Sequence, residues 1–209
     1  MASQACRDYI MRLDRDNGNH AGLLLDRYLR VPVKEKEQGG ENEANHSNDR
    51  KLLLKSAIKA GASKQTRLLY ELVFKRYKTS VIQKPRQTWN YYHTKNRIAI
   101  NLSQASVLET SVVLHHTYGV PYLPGSALKG LTAHYCHNVW GSEDKKLQME
   151  GEYYKILFGT EDDCGHIIFH DAWISPESLA KNGLTLDIMT PHHGDYYGGD
   201  GAPTDFDSP

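Results

Sequence analysis

Pro124, Gly125, Ser126, Lys129 and Gly130 combine the residue types that let a polypeptide hold a phosphate against its own backbone. Proline stiffens the entry to the turn and glycine lets another backbone come close. Ser126 is a natural N-cap for a helix over 126–139, whose apolar positions Leu128, Leu131, Tyr135 and Val139 share one face. A helix N-terminus carries partial positive charge, and Lys129 adds a full charge in the first turn, where acids are usual. The pattern predicts an anion-binding turn; the plainer alternative is an ordinary capped helix start. A Walker A loop is excluded, because there lysine directly follows the last loop glycine, whereas Lys129 stands four positions after Gly125. Nucleotide hydrolysis is not implied.

Eleven histidines invite a catalytic or metal reading. His115-His116 and His192-His193 are adjacent pairs, and neighbours on a strand point to opposite faces, so each pair offers one group at most to a given site. His134 and His137 are three apart on the expected helix, with Cys136 pointing elsewhere. No ordered zinc-ligand spacing emerges, and no metal or other cofactor is expected. His116 or His192 could act as general acid or base in RNA cleavage, since histidine titrates near neutrality, but hydrogen bonding to RNA or to the fold is the expected role. Asp171 and Asp187 stand in apolar strand-like surroundings and are expected to bond neighbouring loops. Cys6, Cys136 and Cys164 form neither a disulfide framework nor a Cys-x-x-Cys half-site, which predicts a reducing, cytoplasmic setting.

The formal net charge of zero over 209 residues conceals an asymmetry. Residues 1–100 carry 20 Lys+Arg against 10 Asp+Glu, and residues 101–209 carry 5 against 15. Between Arg50 and Arg97 there are 13 cations and one acid, Glu71. Tyr70, Phe74, Tyr77, Trp89, Tyr91 and Tyr92 are interleaved with them. Cations that neutralise phosphates beside rings that stack on bases predict a nucleic-acid surface; the alternative is a solvated helix face over core aromatics. No apolar run approaches the roughly twenty residues of a membrane span, and Met1 to Arg15 lacks the hydrophobic stretch of a secretory signal.

The elements that must position these groups follow from periodicity. Cys6, Tyr9, Ile10 and Leu13, and then Ala21, Leu24, Leu25, Tyr28 and Leu29, have helical spacing. Residues 34–49 are charged and nearly devoid of apolar residues, which predicts a flexible linker. Helices are expected at 50–60, ending near Gly61, and at 63–78 behind Ser63. Alternation predicts strands at 98–102, 111–116, 165–173 and 184–190, with helices at 126–139 and about 147–158 between them. The class is α+β. An N-terminal helical segment, 1–90, precedes a mixed domain, 91–209, whose end from Gly194 is rich in Gly, Asp and Pro.

Six stretches occur in an order that resembles a known family: Asn19 to Leu29, Ser106 to Thr110, Leu114 to Gly130, Leu157-Phe-Gly159, Gly165 to Ala172, and Leu186 to His192 with Tyr196-Tyr197. From about residue 19 onward the chain resembles the RAMP superfamily of CRISPR proteins, most closely the subunit-six family of type III-B (Cmr) effector complexes. The resemblance implies a ferredoxin-like, RRM-type domain in a non-catalytic, RNA-binding structural subunit. Such a subunit caps the backbone filament near the 3′ end of the guide RNA, touching guide and target RNA and other Cmr subunits, in antiviral defence. A histidine-dependent, metal-independent endoribonuclease that processes guide precursors is the alternative. Carried across, the motif residues imply RNA contacts at Gly125, Ser126, Lys129, Gly130, His116, His192, Tyr196 and Tyr197. Two departures stand out: no arginine follows the Lys129-Gly130 helix start, and relatives continue into further strands beyond Pro209, so an incomplete sheet is expected.

Overall fold

The structure is a computed structural model that describes residues 20–29, 40–82, 88–101, 108 and 111–187, with isolated positions 9, 12 and 18. Tyr9 and Arg12 are helical, and the rest of the expected first helix lies outside the described residues. Helix α1 (Ala21–Arg27) packs on α2 (Gly40–Gly61). Ala21, Leu24 and Leu25 at i, i+3 and i+4 meet Leu53, Ala57 and Ala60 at i, i+4 and i+7, so each helix buries one stripe. Each leucine fully buried in this way stabilises the fold by about 1.5–3 kcal/mol.

Helix α2 corrects the expected linker, because residues 40–49 are helical. That stretch has no proline, and once the amphipathic turns of 50–60 have nucleated a helix, each further residue adds a hydrogen bond at little entropic cost. Helix α3 (Lys64–Ile82) begins behind Ser63 as expected, with the Thr66 N–H donating to Ser63 Oγ at 3.2 Å.

A second core gathers Tyr70 and Phe74 of α3, Val120 and Leu179, with Trp173 packed against them. Trp173 stacks on Tyr77 with ring centroids 4.2 Å apart and an interplanar angle of 2°, and on Tyr70 at 5.9 Å and 18°. Leu179 belongs to a helix over Pro176–Asn182, which opens behind Ser175 and packs on α3.

Ladder pairing among the described residues is smaller than the alternation predicts. Strand β1 (Tyr122–Leu123) pairs antiparallel with β2 (Ala172–Trp173), with Tyr122 opposite Trp173 and Leu123 opposite Ala172. Of the expected strands, 98–101 and 184–187 make no ladder, and 111–116 contributes one bridge, Leu114 to Pro121. Residues 102 and 188–190 lie outside the described residues. Alternation reports which side chains could share a face, whereas a strand also needs a partner for its N–H and C=O groups. The mixed α+β character stands, on a two-stranded sheet.

Between bridge and β1 the chain reverses through His115–Val120. The His115 N–H donates to the Val120 carbonyl at 2.8 Å and the Gly119 N–H to the His115 carbonyl at 2.7 Å. Gly119 takes a φ of +63°, and a Cβ there would meet the Ala21 nitrogen and the His20 ring. Glycine is required twice over, for the left-handed backbone and for the close approach.

Directly after β1 comes α4 (Gly125–Tyr135), which continues as a π-helical turn over Cys136–Trp140. It differs from expectation in two ways. Pro124 occupies the N-cap and Ser126 makes no capping bond; the Gly125 N–H instead donates to Asp171 Oδ1 at 2.7 Å. Leu131, Tyr135 and Val139 are exposed, because the inward positions are Gly125 and Cys136. The helix is held at its first residue, where a Cβ on Gly125 would overlap the Phe169 carbonyl.

Gly125→Ala should therefore lower stability by about 1–3 kcal/mol, the usual range for forced overpacking. Urea unfolding followed by circular dichroism checks it. An unchanged midpoint would mean that the 169–171 segment does not lie against the helix start.

Candidate nucleic-acid interface

The turn at His115–Val120, α1 and the start of α4 enclose one open groove. His20, Asp26 and Arg27 line it from α1, His116 and Tyr122 from the turn and β1, and Ser126 from α4. His20 fastens the first two walls together. The Leu23 N–H donates to its Nδ1 at 3.0 Å, which makes that nitrogen an acceptor and leaves the ring hydrogen on Nε2. Nε2 then donates to the His116 carbonyl at 2.9 Å. One neutral imidazole thus caps α1 and anchors the turn. A histidine in an N-cap position is uncommon, which is why the sequence alone did not single it out.

The expected phosphate-facing set is divided by the structure. Gly125 is buried and its N–H is bonded to Asp171, so the first amide of α4 is satisfied by the protein's own carboxylate. Ser126 is exposed in the groove; Lys129 and Gly130 are exposed farther along the same helix, with open space around the Gly130 Cα. His116 is exposed and lines the same groove. His192, Tyr196 and Tyr197 lie outside the described residues. The groove lining therefore includes Arg27, the rings of His20, His115 and His116 and the hydroxyls of Ser111, Tyr122 and Ser126, with one acid, Asp26. Such groups bind a phosphate by charge and hydrogen bonds.

The aromatic residues of the basic run divide as well. Tyr70 and Phe74 are buried, and Tyr77 and Trp89 are half-buried in the ring stack around Trp173, so these four are core. Burial raises the Tyr70 hydroxyl pKa, and that group donates to the Ile174 carbonyl at 2.7 Å. Tyr91 and Tyr92 are exposed, and Lys78 lies over the Tyr91 ring at 5.3 Å. Lys51, Lys55, Lys59, Lys64, Arg67, Lys75 and Arg76 are exposed on α2 and α3. Their charges, rather than the inner rings, are what this region presents to a partner.

Other groups singled out by residue type have structural partners. Asp171 caps α4, and Asp187 pairs with Arg97 at 2.9 Å on the surface. The Met149 N–H donates to His137 Nδ1 at 3.1 Å, and the buried Cys136 thiol donates to the Leu147 carbonyl at 3.5 Å. Among the described residues, no three His, Cys, Asp or Glu converge as metal ligands, and no helix is long and apolar enough to cross a membrane.

The sequence pattern of the RAMP superfamily matches residues 17–199, and the protein belongs to that superfamily. It is similar to the CRISPR system Cmr subunit Cmr6 of Pyrococcus furiosus, with 31% identity over 179 residues. That alignment covers 61% of this chain and 53% of the relative, so the chain spans about half the length of the curated relative.

His115 gives the groove wall a pH response. Its ring lies 4.5 Å from the Tyr118 ring and 5.3 Å from Trp173, and its Nδ1 accepts the Thr117 N–H at 3.2 Å. Removal from water lowers its pKa below 6.5, and Asp171 opposes that shift. The unfolded chain consequently binds the proton more readily than the native state. Stability contributed here is present above 6.5 and falls as pH drops through the unfolded value toward the native one. In urea melts at pH values between about 5 and 7, His115→Gln should flatten part of the wild-type rise. An identical pH slope in the variant would contradict the assignment.

Proposed function

We propose that this protein is a non-catalytic, RNA-binding structural subunit of a type III-B CRISPR (Cmr) ribonucleoprotein. It caps the backbone filament near the 3′ end of the guide RNA, contacts guide and target RNA and other Cmr subunits, and acts in the cytoplasm in antiviral defence. The domain is proposed to be ferredoxin-like. The observation that carries the reading is the superfamily match over residues 17–199, which contains all three walls of the groove. Similarity to a Cmr6 protein supports the assignment to a Cmr complex.

In this reading Arg27, His116, Ser126 and Lys129 hold the RNA backbone, with Gly130 giving it room. His192, Tyr196 and Tyr197 extend the contact, as the family resemblance implies. The exposed cations of α2, Lys51, Lys55 and Lys59, attract the polyanion at longer range. Gly125 serves as the close-packed seat of α4 rather than as a phosphate donor.

The gathering of His20, His115 and His116 around one groove supports a second reading, metal-independent endonucleolytic processing of guide precursors. Against it, His20 and His115 both hold backbone N–H groups on Nδ1, which suits positioning better than proton transfer. Incubation with precursor RNA in EDTA separates the two. Cleavage that disappears in His116→Ala would replace the binding reading.

Filter binding of guide-length RNA across a salt series tests the binding reading. Lys129→Ala and Arg27→Ala should each weaken affinity with folding retained and reduce the salt slope by about one, as expected for loss of one phosphate contact. Undiminished affinity and slope in both variants would remove the groove and α4 from the RNA path.

A further inference from the structure

Helix α3 is apolar on two opposite sides. Tyr70, Phe74 and Tyr77, at i, i+4 and i+7, face the core. Leu68 and Leu72, at i and i+4 on the far side, are 55% and 65% exposed, and Leu69 beside them is 52% exposed. Three neighbouring leucines in water forgo the main gain available to them. Exposed Lys64, Arg67, Lys75 and Arg76 border the leucines, with Glu71 as the one acid of the helix.

We infer that this face of α3 docks an acidic amphipathic helix of a partner protein. The leucines would meet its apolar stripe and the bordering cations its carboxylates. The charge pattern decides the occupant. RNA presents phosphates, which would be stripped of water against leucine side chains without compensation. A second copy of this chain in a two-fold contact would set like-charged borders against one another. The leucines are already about one third to one half covered by their surroundings, so they suit a shallow helix-to-helix seam better than insertion among acyl chains. This inference does not depend on the RNA reading, since it concerns a different face and ligand.

The test uses the full chain and a fluorescein-labelled synthetic helix of about 20 residues, with leucine at i, i+3, i+4 and i+7 bordered by glutamate. Fluorescence anisotropy should show saturable binding that Leu72→Asp weakens at least about tenfold. Circular dichroism and RNA affinity of that variant should match wild type. Leu72→Gln is the milder substitute if Leu72→Asp fails to fold. The paired Lys75→Glu and Arg76→Glu changes should abolish binding of this probe and confer binding of a lysine-bordered version. Equal binding of a scrambled probe, or no binding at all, would overturn the inference. So would loss of RNA affinity in Leu72→Asp, wild-type self-association abolished by that change, or capture by phosphatidylglycerol vesicles in place of the peptide.

Discussion

Asp171 bonds in two directions at once, and the relative placement of the basic helix and the groove depends on it. Its carboxylate accepts the first N–H of α4 at 2.7 Å, while its carbonyl accepts the Tyr77 hydroxyl of α3 at the same distance. Two residues on, Trp173 pairs with Tyr122 in the sheet and stacks on Tyr70 and Tyr77. Segment 171–173 thereby clasps α3, β1 and α4 through a charge-assisted cap, a hydroxyl bond and ring stacking. Burial of the rings supplies most of the stabilisation, and the directional bonds fix orientation. Burial, with the nearby Asp171 carboxylate as a lesser cause, raises the Tyr77 pKa, so the phenol stays a donor at neutral pH.

The clasp also shapes what α4 can bind. With Asp171 on the first amide, the positive end of the helix already faces a carboxylate, and a second anion there would meet repulsion as well as attraction. Exposed groups downstream of that point, Ser126 and Lys129, are the ones an RNA phosphate can approach in the proposed reading. His20 plays the matching part across the groove, where one neutral ring ties α1 to the turn that carries His116. The groove is thus assembled from separate stretches of chain, fastened by the side chains of His20 and Asp171.

Periodicity located α1 and the 50–60 part of α2 because a buried stripe at 3.6 residues is written directly in Leu24, Leu25, Leu53 and Ala57; the helix over Pro176–Asn182 was not anticipated. The cap at Ser63 follows from local chemistry and was equally legible. Three features were not. The extension of α2 through residues 40–49 depends on cooperative propagation, which a polar composition hides. Pairing of Ala172 and Trp173 alone, out of the 165–173 run, depends on where β1 lies, and alternation does not encode that. The split of the aromatic run into core rings and exposed tyrosines depends on Trp173, some eighty residues beyond Trp89. Type and spacing singled out Ser126 and Lys129 as candidates, and the structure leaves both exposed; the capture of the Gly125 amide by Asp171 is a contact between distant segments that no local pattern announces.

Amide hydrogen exchange resolved at single residues, comparing wild type with Asp171→Ala, is the most direct measurement of the clasp. Loss of the carboxylate should free the Gly125 amide to exchange much faster, while α3, whose Tyr77 hydroxyl bonds the Asp171 backbone carbonyl that alanine retains, and the α1–α2 core keep their protection. An unaltered Gly125 amide would show that the start of α4 is held in place by something other than the Asp171 carboxylate.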